Sequence, residues 1–270
     1  MDQPPTSPPP VPSTGSRNAR IGVGILVAAV LLVGAAGIYY LFLRPDGPAA
    51  VADATLPPVP TAAPTEVAGG GSPTGDPAAT DAGTPNGIDG TWAVDPSIGT
   101  FSDFSSSFVG YRVQEELAGI GAQTAVGRTP DVSGSMTIAG TAVTAATIEA
   151  DLTTLESDDR NRDGQLRRQG IQTEQFPTAT FTITSPIQLG AVPADGQEID
   201  LTATGQLTLH GQTQDVDAPM KARLSGDVIT VSGQIPIRFA DYGIEKPESF
   251  KVLSVEDNGI MEFQVFFSRP

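Results

Sequence analysis

The chain has 270 residues, with 31 acidic against 15 basic side chains, a formal net charge of -16, one histidine and no cysteine. Without cysteine there is no disulfide framework, thiolate metal site or cysteine nucleophile, and one imidazole falls short of the ligand set of a zinc or non-haem iron centre. The acidic balance is the reverse of the basic face with which nucleic-acid binders displace counterions, so no nucleic-acid partner is expected.

Composition changes along the chain. Fifteen of the 24 prolines precede Thr91, whereas 13 of the 16 aromatic residues lie beyond Gly90. Residues 1–20 are rich in Pro, Ser and Thr and are expected to be a disordered cytoplasmic N-terminus. Residues 21–43, IGVGILVAAVLLVGAAGIYYLFL, carry no charge; as a helix rising about 1.5 Å per residue they cross a bilayer core. Arg17 and Arg20 precede the run, and Tyr39 and Tyr40 sit near its far end, where aromatic belts form. The run is therefore expected to be a single-pass transmembrane helix, a signal-anchor in the cell membrane with everything beyond Arg44 extracytoplasmic. A cleaved secretory signal is the alternative, although the apolar part of such signals usually spans only about 7–15 residues. Residues 44–90, rich in Pro, Gly, Ala and Thr, read as a disordered linker, and residues 91–270 as one folded domain.

From Trp92 onward apolar residues alternate with polar ones, the period of strands with one dry face. Leu201, Ala203, Gly205, Leu207 and Leu209 alternate with Thr202, Thr204, Gln206, Thr208 and His210. The pattern recurs through Ala179, Phe181 and Ile183, through Val216 to Leu224, through Ile229 to Ile237, and through Met261, Phe263, Val265 and Phe267. Strands are predicted over 92–95, 99–116, 131–139, 142–153, 178–189, 198–210, 214–225, 227–238 and 251–268. Turn signals fall at Ala139-Gly140, Asp195-Gly196, Ser225-Gly226-Asp227 and Asn258-Gly259, the last a type I′ hairpin signal. The predicted fold class is all-β: an antiparallel barrel of about eight strands. One short helix is predicted over 157–170, capped by Ser157 or Asp158 and stopped at Gly170. Small inward residues (Ala179, Ala203, Gly205, Ala218, Ala222, Gly233) leave room for a ligand. The same pattern equally suits a barrel filled by the large residues opposite, or two flattened sheets.

Few residues suggest chemistry. Asp159, Asn161, Asp163 and Gly164 match the opening of an EF-hand loop, but Gly170 stands where the bidentate Glu belongs and four arginines crowd the segment, so no metal is assigned. His210 falls on the polar face beside a Gly-containing turn and reads as a surface or turn imidazole; no G-x-S-x-G elbow accompanies it. Asp215 and Asp217 read as outward solubilising charge. No phosphate-binding loop is present. No catalytic residue and no cofactor are assigned, and the domain is expected not to be an enzyme.

Taken together, TWAVDPSIGTFSDF, VSGSMTIAG, RNRDGQLRRQGI followed by FPTATFTI, GQLTLHGQTQDV and FADYGI resemble, in order, the YceI-like family of bacterial polyisoprenoid-binding proteins. The resemblance covers residues 91–270 and implies a lipocalin-like barrel around an apolar tunnel that holds an isoprenoid or similar long lipid chain, or a quinone. Two places depart from the family pattern. Its frequent His after the first long strand is absent from FVGYRVQEEL, and its RD-x-H-L becomes Arg162-Asp163-Gly164-Gln165-Leu166. The segment AGIGAQTAVGRT lengthens the first connection, similar to membrane-anchored members from high-GC Gram-positive bacteria. On this reading Phe181, Ile183, Leu207, Leu209, Met220, Ile235, Phe263 and Val265 contact the lipid. Arg162 and Arg167 are candidates for a phosphate or other polar head, because guanidinium forks suit phosphate. The alternative is a non-catalytic interaction module with a filled barrel, displayed on the tether to an envelope protein partner.

Overall fold

The computed structural model describes residues 48–51, 56, 87–119, 121–246 and 252–270. The predicted cytoplasmic segment 1–20, the apolar run 21–43 and most of the linker 44–90 lie outside the described residues.

Among the described residues thirteen strands follow one another: β1 (Gly90–Val94), β2 (Phe108–Leu117), β3 (Gly121–Thr129), β4 (Val132–Ala139), β5 (Ala142–Asp151), β6 (Glu156–Ser157), β7 (Thr178–Ile183), β8 (Ile187–Gln188), β9 (Glu198–Leu209), β10 (Gln212–Ser225), β11 (Val228–Arg238), β12 (Val252–Val255) and β13 (Asn258–Ser268). Among the described residues one α-helix, α1 (Arg160–Arg168), lies between β6 and β7. Eight strands close on themselves in the order β1-β4-β5-β7-β9-β10-β11-β13, with β13 returning to β1 through Ala93↔Ser268 and Val94↔Phe267. Every pairing is antiparallel, so closure leaves no exposed edge in the ring.

The free side of β13 is shared. Its C-terminal end pairs with β1, while Ile260 to Gln264 pair with β2 from Arg112 back to Phe108. β2 in turn carries β3 and β12, and β3 carries β6, so one end of the barrel is extended by an additional wall. The predicted alternation of β9 is realised: Ala203 and Leu207 are fully buried, while Thr202, Thr204 and Gln206 are exposed.

Several expectations need correction. The predicted strand 99–116 is interrupted. Phe101–Asp103 form a 3₁₀ turn, Phe104 takes a left-handed φ of 57°, and β2 starts only at Phe108. The segment AGIGAQTAVGRT is not a mere connection. Most of it is β3, whose Gly, Thr and Gln content hides the strand signal but whose Ala125 and Val126 are buried. Asn258-Gly259 is no hairpin turn. It opens β13, paired with Arg238 and Ile237, and a Cβ at Gly259 would meet Val113 Cγ2 at 2.9 Å, so close strand packing explains this glycine. The predicted strand 251–268 is therefore two strands, with β12 paired to β2. The predicted strand 178–189 also splits around Pro186, which has no N–H for a ladder. The helix is shorter than predicted, and its cap is Asp159, which accepts the Asn161 N–H at 2.8 Å.

Candidate functional site

The barrel interior holds two abutting cavities. The larger, of about 140 Å³, is lined by apolar surface from seven of the eight ring strands and by Val109 of β2. Of the predicted contacts, Phe181, Ile183, Met220, Ile235, Phe263 and Val265 line it. The second, of about 120 Å³, lies toward the extended end beneath α1, and Leu209 lines it. Val109 and Met261 belong to both linings, which makes them the junction. Leu207 is fully buried in the core but lines neither cavity.

Glycines explain how rings as large as Phe181 and Phe263 leave space. Phe263 lies directly opposite Gly233, where an added Cβ would stand 2.6 Å from the Phe263 Cζ. Gly205 takes the edge of the Phe181 ring in the same way, at 2.6 Å. Each ring lies along the wall over a neighbouring glycine. Ala203 and Ala218 face each other across β9 and β10, and both line the larger cavity, adding little bulk to it.

The second cavity has a polar end. Val109, Tyr111, Val113 and Glu115 share one face of β2 by alternation, and all four line this cavity. The Tyr111 ring lies over Gly127 of β3, and its hydroxyl is buried without a hydrogen-bond partner. Burial pushes the phenol well above its ordinary pKa, and the neighbouring Arg162, Asp163 and Glu115 modulate that shift. Ser157, whose hydroxyl is committed to Asp163 Oδ1 at 2.6 Å, eases the phenol's ionisation only as the smallest influence. Tyr111 is therefore a protonated donor at neutral pH.

Arg162 reaches the same cavity from α1, but its charge is taken. It pairs with Glu115 at 2.5 Å and with Asp158 at 2.6 Å. Asp163, buried behind it, accepts from the Ser157 N–H at 3.0 Å and from its hydroxyl. A phosphate here would meet one guanidinium already held by two carboxylates, with a third carboxylate close by. Arg167, the other predicted head-group residue, is exposed and lines neither cavity.

His210 is in a turn, as predicted, but not on the surface. With φ of 51° it forms the β9–β10 turn together with Gly211 at 70°. The imidazole is buried, its Nδ1 lies 2.9 Å from the Tyr242 carbonyl, and the Phe176 ring covers it at 4.3 Å between centroids. The left-handed turn rotates the side chain inward, which strand alternation could not anticipate.

With this geometry established, comparison with known proteins is decisive for the family. The description of the YceI-like domain matches residues 92–267. The chain belongs to the YceI-like family. No curated protein matches it. Among solved structures, a polyisoprenoid binding domain from Saccharophagus degradans, implicated in plant cell wall breakdown, is 23% identical, with 61% of this chain and 94% of that one covered and a TM-score of 0.49. BcnA of Burkholderia cenocepacia is 20% identical over 64% of this chain and 98% of its own, with a TM-score of 0.48. The YceI protein of Campylobacter jejuni is 15% identical over 53% and 84%, with a TM-score of 0.44.

Tyr111, Glu115 and the junction residues Val109 and Met261 were absent from the sequence-derived site. The signal was present in FVGYRVQEEL, where a phenol and a carboxylate occupy the inward phase of an otherwise apolar alternation.

Proposed function

We propose that this YceI-like protein holds one isoprenoid-type lipid in its barrel, with the chain in the larger cavity and a neutral, hydrogen-bond-accepting head, such as a quinone carbonyl, at Tyr111. The observation that carries the reading is a cavity of apolar surface, with Arg223 as the one charged residue in its lining, that abuts a second one ending on a buried phenol whose hydroxyl makes no close hydrogen bond. Burying a donor without an acceptor costs about 1–3 kcal/mol, and a bound carbonyl relieves that cost. Membership in the YceI-like family supports a lipid ligand. The paired state of Arg162 favours a neutral head over a phosphate.

The protein acts, on this reading, as a binding protein without chemistry of its own. The apolar run 21–43, with arginines before it, supports a membrane-anchored location with the barrel outside the cytoplasm.

Tyr111→Phe tests the head-group assignment. Losing one net hydrogen bond of about 0.5–1.5 kcal/mol should weaken binding of an isoprenoid quinone roughly two- to tenfold, and should leave binding of a chain without a polar head unchanged. Equal quinone affinity in the variant, together with tighter binding of a polyprenyl phosphate than of the quinone by the unaltered protein, would refute it.

A further inference from the structure

The outer wall carries a charge cluster that the lipid site does not use. Glu262 of β13, fully buried, takes Arg112 Nε on Oε2 at 2.7 Å and Arg128 Nε on Oε1 at 2.8 Å. Gly110 lies between Arg128 and Glu262 in the strand register, and a Cβ there would stand 2.7 Å from the Arg128 Cγ, so its absence lets the arginine cross β2. The Arg128 guanidinium also lies over the Phe104 and Phe108 rings at 4.4 and 4.2 Å. Two cations on one carboxylate leave the cluster with an excess positive charge and unused N–H donors.

Those donors are directed at main chain from the linker. Arg112 donates to the Pro48 carbonyl, Arg128 Nη2 donates to the Ala49 carbonyl at 3.0 Å, and the Val51 N–H lies 3.4 Å from Glu262 Oε2. Val51 and Leu56 are buried, though they belong to a stretch whose composition reads as spacer. Main-chain groups of both polarities are thus recognised, acceptors by the arginines and a donor by the glutamate.

We propose that the Arg112–Glu262–Arg128 cluster is a peptide-binding site on the barrel's outer wall, and that its occupant is the chain's own segment 48–56. The segment is held at its described residues Pro48, Ala49 and Val51. The docking itself does not depend on the anchor or on the lipid.

Hydrogen–deuterium exchange of the full-length chain in lipid nanodiscs tests this. Amides in peptides covering 48–56 should exchange about tenfold or more slowly than those covering 60–85. The double substitution Val51→Asp and Leu56→Asp should abolish that difference while the barrel strands keep their protection. Arg112→Ala, made on the wall instead of the segment, should also speed exchange of 48–56. Equal exchange of the two regions in the unaltered chain, or protection that survives the double substitution, would overturn the proposal. Protection that grows with protein concentration would place the segment on a second copy and overturn it as well. Recovery of the double variant in the membrane fraction reads the anchor separately, so failure of one idea is distinguishable from failure of the other.

Discussion

Replacing Met261 with tryptophan places an indole at the junction of the two cavities. Met261 lies opposite Ile235 on one side and Tyr111 on the other, and it lines both spaces. Closing the junction separates a cavity of about 120 Å³ from one of about 140 Å³, slightly less than half of the enclosed volume. At about 0.8 kcal/mol per buried CH₂, each five-carbon isoprene unit kept out forfeits up to roughly 4 kcal/mol, near a thousandfold in Kd. Overpacking should lower stability by about 1–3 kcal/mol, which leaves a well-folded protein foldable. Binding of an isoprenoid series of increasing length to residues 47–270, followed by calorimetry, gives the readout. The unaltered protein should gain affinity with each unit until both cavities are full, and the variant should stop gaining earlier. A folded variant that binds the longest chain as tightly as the unaltered protein would refute the continuous-path argument.

Three further outcomes follow from specific contacts. Gly233→Ala puts a Cβ 2.5 Å from the Pro219 carbonyl oxygen and 2.6 Å from the Phe263 ring; it should lower stability by about 1–3 kcal/mol and the thermal midpoint by several degrees, measured by circular dichroism, while pushing the ring into the lumen. Glu262→Gln leaves the buried Arg128 guanidinium and the partly buried Arg112 guanidinium without their carboxylate and should cost about 3–5 kcal/mol in denaturant unfolding, far more than an exposed ion pair. Asp95 accepts from Ser97 and Ser268 where β1 meets β13, and the Ser97 hydroxyl foremost holds its carboxyl below the usual range. A depressed folded pKa contributes stability that is complete above the unfolded value of about 3.9 and is lost as pH falls through the folded one. Asp95→Asn should therefore be less stable than the unaltered protein at neutral pH and converge with it only in strong acid.

The parts of the fold that were legible in the sequence are those where one strand face is dry and the other wet. β9 and β10 alternate cleanly because their outer faces meet solvent, as Thr204, Gln206, Asp215 and Asp217 do, and β11 alternates in sequence although Thr230 and Ser232 on its outer face are buried. β3 was not legible, because both of its faces are covered near Arg128 and glycines replace the apolar residues that would mark a core phase. The inward rings of Phe181 and Phe263 were legible as inward, but not as lying flat over Gly205 and Gly233, since ring orientation depends on a glycine in another strand. The outer cluster was invisible for a different reason. Arg112 and Arg128 are separated from Glu262 by 150 and 134 residues, and a lone acidic residue in the outward phase of a strand reads as solubilising charge. Arg162 was legible as lying near one mouth, but not as neutralised, because Glu115 is far away in sequence and sits in an inward phase otherwise filled by apolar residues.

The central claim is that the barrel interior is a lipid site. It is tested most directly by native mass spectrometry of residues 47–270 purified without detergent, followed by organic extraction of whatever remains bound. The account predicts one isoprenoid-type molecule per chain, with an uncharged head. An empty domain that also refuses added isoprenoid quinones and prenols would contradict it.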